Sequence, residues 1–60
     1  SKGYTNCLAY IGDGGLTVIV TSKTGNISAL DTAKITDVAI SETGLSSDKI
    51  RIVEATPEKD

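Results

Sequence analysis

Gly12-Asp13-Gly14-Gly15 restricts this chain more than any other stretch of it. It lies between two apolar runs. Asp-Gly in that setting signals a two-residue hairpin turn, because both central residues can take positive φ. Thr5 to Ile11 reads as the strand before the turn. Leu16 to Thr21, rich in β-branched residues, reads as the strand after it. With Asp13-Gly14 as the turn, Gly12 faces Gly15, Ile11 faces Leu16, Ala9 faces Val18 and Cys7 faces Val20. From Ile11 to Val20 these facing side chains are all apolar and share one side of the hairpin. The other side sets Tyr10 against Thr17, Leu8 against Ile19 and Asn6 against Thr21. A slip of one residue would mix the sides and bury threonines, so the core face is well specified.

After the polar loop Ser22-Lys23-Thr24-Gly25-Asn26 the pattern changes to that of a helix. Ser28 is placed to be its N-cap, with Asp31 at the third helical position. This is close to a capping box, with the shorter Asp replacing Glu, and Asp31 also suits the positive end of the helix dipole. Ile35, Val38 and Ala39 fall on one face, with Thr32 and Glu42 at its margins, and that stripe is expected on the sheet. Gly44 suits the left-handed residue of a Schellman ending, with Leu45 making the apolar contact against Ile40. Ile40, off the main stripe, has either that role or one in partner contact. Ser46 to Lys49 turns the chain, with Asp48 steadying the turn. Ile50 to Ala55 is a third strand, with Ile50 and Ile52 inward and Arg51 and Val53 outward.

The order is therefore β-hairpin, helix, strand: an α+β fold, ββαβ, with a three-stranded sheet and a helix packed on one face. The helical connection favours a crossover that sets the second and third strands parallel. Sequence leaves open whether the third strand lies beside the first or the second. Residues 1–56 are expected to form one domain and 57–60 a loose tail. Lys2-Gly3 has the form of a helix ending, a cation followed by Gly, which fits either a preceding helix missing from this chain or a disordered start.

Composition narrows the function. A chain of 60 residues buries only about 60% of its unfolded surface. It has one cysteine and no histidine. Cys7 cannot pair within the chain and is expected to be a small buried apolar residue. The net charge is −2, and the six basic residues are scattered among acids rather than gathered in a patch, which argues against nucleic acid. Only Tyr4 and Tyr10 are aromatic, which leaves little for base stacking. No apolar run approaches the ~20 residues of a membrane span, and no signal peptide is visible.

The chemistry-bearing residues form no recognisable centre. Gly12–Gly15 joins two strands, whereas a phosphate cradle leads from a strand into a helix N-terminus. Asp13, Asp31, Asp37, Glu42 and Asp48 lack the spacing of a calcium loop. Asp31 is explained by capping and Asp37 by a solvated helix face. No catalytic residue, cofactor site or metal site is assigned, and the chain is read as no enzyme. A KH-like nucleic-acid module is an alternative from another class, but no GXXG clamp joins two helices. A structural piece of a larger enzyme is the third reading.

An ordered set of segments covers most of the chain: Lys2-Gly3-Tyr4, Gly12-Asp13-Gly14-Gly15, Val18-Ile19-Val20, Ala33-Lys34-Ile35-Thr36-Asp37-Val38, Glu42-Thr43-Gly44-Leu45 and Asp48-Lys49-Ile50-Arg51-Ile52. This set resembles the family of the C-terminal domain of stage III sporulation protein AH, which is similar in fold to the ring-building modules of type III secretion inner rings. The resemblance implies a helix before Tyr4, two helices on one face of a three-stranded sheet, and no enzyme activity. It implies an upstream anchor in the mother-cell membrane and a place in the space between mother cell and forespore. It also implies a partner, the extracytoplasmic domain of stage II sporulation protein Q, in a channel complex that helps engulfment. A homo-oligomeric ring is a further implication.

Two expectations about surfaces follow. Ala9, Ile11 and Val18 need more cover than one helix around Ile35 can give, so a second helix is expected beside it. On the side of the sheet away from the core, Leu8, Tyr10 and Ile19 cluster, with Tyr4 at the mouth of the first strand. Tyrosine offers apolar area and a hydroxyl together, which suits a binding hot spot. These residues are the candidate partner-binding positions, joined by Arg51 and Val53 if the partner adds a strand to the sheet.

Overall fold

The computed structural model describes residues 4–57. It contains β1 (Tyr4–Gly12), β2 (Gly15–Ser22), α1 (Ala29–Thr43), a 3-10 turn over Ser47–Lys49, and β3 (Ile50–Ala55). This is the α+β, ββαβ arrangement expected from the sequence. The helix ending read at Lys2-Gly3 and the last tail residues lie outside the described residues.

The hairpin forms in the expected register. Asp13 and Gly14 have φ of 53° and 75°, and Gly12 pairs with Gly15, Ile11 with Leu16, Ala9 with Val18 and Cys7 with Val20. β3 lies beside β2 and parallel to it, so β2 is the central strand. Rows of side chains therefore cross the whole sheet. Ile11, Leu16 and Ile50 form one row on the helix side, and Ala9, Val18 and Ile52 the next. The opposite side carries Leu8, Ile19 and Val53 in one row and Tyr10, Thr17 and Arg51 in another. Gly15 is required where β2 meets the approach to β3: a Cβ there would lie 2.9 Å from the Lys49 carbonyl oxygen.

Local chemistry sets the ends of α1. Ser28 caps it, its hydroxyl accepting from the Asp31 N–H at 3.0 Å. At the other end Gly44, with φ 75°, donates its N–H to the Ile40 carbonyl at 2.8 Å. The Leu45 N–H goes to the Thr43 hydroxyl rather than back to the helix backbone. The ending is thus the simpler αL motif and not the expected Schellman pair, because the Thr43 side chain takes the second donor. Leu45 is half-buried against the core. The turn before β3 is steadied as expected, with the Ser46 hydroxyl donating to the Asp48 carboxylate.

The core lies over β2. Leu16, Val18, Val20 and Ala39 are buried, and Ile27, Ile35, Leu45, Ile50 and Ile52 pack around them. α1 packs toward β3, and among the described residues Cys7, Ala9 and Ile11 of β1 stay exposed on the helix side. Two expectations are corrected by this placement. Val38 was expected on the sheet but is 62% exposed, because it points past β2 into the space over β1. Cys7 was expected to be buried and is exposed, because α1 leans toward β3 and leaves an open groove over this part of β1.

Candidate functional site

Two apolar surfaces meet at β1, one on each face of the strand. The first is a groove on the helix side, about 480 Å³ in volume. Its floor is Cys7 and Ala9 of β1 with the edges of Leu16 and Val18. Its wall is the flank of α1 formed by Ile35, Val38 and Ala39. Lys34 stands toward one end of that wall, with Glu42 and Thr43 toward the other. From Lys34 to Thr43 the wall runs roughly 14 Å, at a helical rise of 1.5 Å per residue.

The second surface is the sheet face away from α1. Leu8 and Tyr10 are 58% and 54% exposed. Ile19 and Val53 are half-buried on β2 and β3, and Arg51 is exposed. Leu8, Ile19 and Val53 therefore make a continuous apolar row across all three strands, with Tyr10 and Arg51 at the two ends of the next row. An antiparallel sheet face open to water normally alternates to polar residues. This one does so only in part, through Asn6, Thr17 and Thr21.

Tyr4 is not brought into that cluster. The β1–β2 register shifts between Tyr4 and Asn6, and this irregularity turns Tyr4 to the helix side. There it is half-buried and packs against the core. Its hydroxyl donates to Asp31 Oδ2 at 2.6 Å and accepts from the Ser28 N–H at 3.4 Å. The arrangement completes the capping box through a third residue. A Glu at the position of Asp31 would reach the Ser28 N–H directly; Asp is one methylene shorter, and the Tyr4 hydroxyl spans the gap. Tyr4 is thus a tie between the start of β1 and the start of α1.

Two other polar residues with structural roles carry no obvious sequence signal. Ser22 is buried at the end of β2. Its hydroxyl accepts from the Gly25 N–H at 2.9 Å and donates to the Asn26 carbonyl at 3.1 Å, which shapes the loop leading to α1. Glu54 of β3 accepts from the Ile27 N–H at 2.8 Å, just ahead of the helix. Both satisfy backbone or side-chain groups where the chain crosses from β2 to α1. Ile40, half-buried on α1, supplies the carbonyl of the helix ending.

Among the described residues no group of three His, Cys, Asp or Glu converges, and no helix is long and apolar enough to cross a membrane. What the surface offers is apolar area, on both sides of one strand. That is the equipment of a small assembly module.

The comparison with known families agrees. The model of the SpoIIIAH-like protein family matches residues 1–52. The chain belongs to that family, a sporulation family of non-catalytic, extracytoplasmic assembly modules. No curated protein and no solved structure matches the chain.

Proposed function

We propose that this chain is an assembly module that binds the extracytoplasmic domain of stage II sporulation protein Q, in the space between mother cell and forespore. It is held on the mother-cell side and forms part of a channel complex that supports engulfment. The observation that carries the reading is the apolar row Leu8–Ile19–Val53 flanked by Tyr10 and Arg51. Tyr and Arg are enriched in binding hot spots, and hot spots cluster around apolar anchors that lose their water on binding. Membership of the family supports the choice of partner. Binding of the partner's extracytoplasmic domain to Leu8→Ala, Tyr10→Ala and Ile19→Ala variants tests it. At least one variant loses more than about 1 kcal/mol, with an unchanged far-ultraviolet spectrum. If all three bind like the parent, this face is not the interface.

The groove over β1 has a different role in this reading: it seats a second helix that completes the core, as the resemblance implies for the family. Its apolar floor and wall call for a helix with one apolar stripe, anchored at positions i, i+3 or i+4, and i+7. Lys34 and Glu42 favour an acidic residue at one end of that helix and a basic residue at the other. A synthetic peptide of that pattern, added to the chain, should slow alkylation of the Cys7 thiol at the groove floor. A labelling rate that stays constant at saturating peptide would mean the groove takes no helix.

A further inference from the structure

Most hydroxyl groups placed by this fold have a partner within the chain. Tyr4, Ser22, Ser28, Thr32, Thr36 and Thr43 all do. One row of the sheet departs from this pattern. On the face away from α1, Tyr10, Thr17 and Arg51 stand side by side across β1, β2 and β3. Among the described residues, none of these three side chains makes a hydrogen bond or an ion pair. Tyr10 and Arg51 are exposed and Thr17 is half-buried between them.

Arg51 is also the one charge that the three strands place on this face. The other side chains there are Asn6, Leu8, Ile19, Thr21, Val53 and Ala55. The nearby carboxylates are turned elsewhere or engaged. Glu54 is on the helix side, bonded to the Ile27 N–H. Asp48 is held by Ser46 in the turn before β3. Asp13 sits in the hairpin turn, beyond the Gly12–Gly15 pair. Lys49, exposed two residues before Arg51, adds a second cation toward the same end of β3. Neighbouring strands are about 4.8 Å apart, so roughly 10 Å separates Tyr10 from Arg51 across Thr17. Both side chains are long enough to bring their polar heads together over Thr17. A guanidinium has only donors, and both hydroxyls can donate; an ionised carboxylate has only acceptors.

We propose that this row receives a side-chain carboxylate of the partner protein, an Asp or Glu standing beside the partner's apolar contact with Leu8, Ile19 and Val53. The proposal rests on this face being the interface, as argued above, and adds what the partner presents there. Arg51 takes the carboxylate in the two-pronged geometry of a guanidinium–carboxylate pair. The Thr17 and Tyr10 hydroxyls donate to its remaining lone pairs. Seating the apolar row drives water from the neighbouring row, and a dry guanidinium with no counter-charge is costly. An equally apolar partner without the acid is therefore rejected, because it leaves Arg51 buried and unpaired. The chain itself has a net charge of −2, which disfavours a broadly acidic surface. Recognition is thus of one placed carboxylate rather than of an acidic field. Anionic lipid or nucleic acid calls for a cluster of cations, which this face lacks.

The test measures binding of the 60-residue chain to the extracytoplasmic domain of stage II sporulation protein Q by calorimetry. Arg51→Gln should weaken binding about tenfold or more, as for one member of a desolvated charge pair. Arg51→Lys should recover only part of that loss, because an ammonium lacks the planar fork. Tyr10→Phe, which removes the hydroxyl alone, should weaken binding severalfold. The partner's carboxylates are then converted to amides with a carbodiimide and glycinamide. Amidation should weaken binding to the parent chain far more than binding to Arg51→Gln. Should Arg51→Gln not fold, Tyr10→Phe takes its place in that comparison. Parent-like binding by folded Arg51→Gln overturns the proposal, and so does an equal loss on amidation for parent and variant. In either case a Leu8→Ala variant that still binds weakly leaves the interface reading standing without the carboxylate. If Leu8→Ala and Arg51→Gln both bind like the parent, or the parent does not bind at all, both readings fall.

Discussion

Ile11 and Leu16 face each other across one hairpin, on the same side of the same sheet, yet Leu16 is 8% exposed and Ile11 is 66% exposed. The difference is not in the residues, which are equally apolar. It lies in what stands above them. α1 leans toward β3, so Leu16, Val18 and Val20 are covered while Ile11, Ala9 and Cys7 are not. The same contrast divides the molecule. The β2–α1–β3 half is a closed core with capped helix ends. The β1 half has a groove on one face, an apolar cluster on the other, and an open edge. Hydrophobic patterning specifies which side of a strand is apolar; it does not specify how far one helix reaches.

The largest effects should separate these halves. Leu16→Ala, in the covered half, should cost about 2–5 kcal/mol of stability, read from urea unfolding. Ile11→Ala, across from it, should change stability by no more than about 0.5 kcal/mol, as for an exposed position. Equal losses at the two sites would erase the distinction. The turn and the parallel junction come next. Gly14→Val sets a β-branched residue at φ 75° and should cost about 1–3 kcal/mol. Gly15→Ala drives a Cβ against the Lys49 carbonyl and should cost a similar ~1–3 kcal/mol by overpacking. An unchanged midpoint for Gly15→Ala would mean that β2 and β3 separate easily.

The tie between the halves is smaller. Ser28→Ala should cost about 1 kcal/mol through loss of the cap. Tyr4→Phe should cost about 0.5–1.5 kcal/mol through loss of its hydrogen bonds. Because the Tyr4 hydroxyl works together with Ser28 and Asp31, the double variant should lose less than the sum of the two. Strict additivity would argue that Tyr4 and Ser28 act separately. The smallest effect is expected at the groove wall. Val38→Ala should leave the chain unchanged or stabilise it by a few tenths of a kcal/mol, since alanine is the better helix former and little apolar cover is lost.

Much of this fold is legible in the sequence, for local reasons. Asp13-Gly14 determines the turn and the turn determines the register, residue by residue. Ser28 and Gly44 mark the helix ends, and Ile50 to Ala55 announces itself by β-branched alternation. The candidate cluster Leu8, Tyr10 and Ile19 follows from the same register, and the parallel third strand brings Val53 and Arg51 to it. What escapes the sequence depends on tertiary placement. The position of β3 beside β2 is a choice between two edges that look equivalent on paper. The placement of α1, and with it the exposure of Cys7 and Val38, follows from that choice. Tyr4 is misplaced by simple alternation because a shift at Thr5 reverses its side, and Tyr4-Thr5-Asn6 contains no glycine to announce an irregularity. The roles of Ser22 and Glu54 depend on partners far along the chain or at a loop whose path the sequence does not fix.

The central claim is that the β1 half lacks cover and that these 60 residues do not make a self-sufficient monomer. A thermal melt followed by circular dichroism, repeated over a hundredfold range of concentration, tests it most directly. The account predicts a broad transition, or one whose midpoint rises with concentration as the exposed surfaces find partners. A sharp transition of a monomer, independent of concentration and above about 60 °C, toward the upper end for mesophile domains, would contradict it.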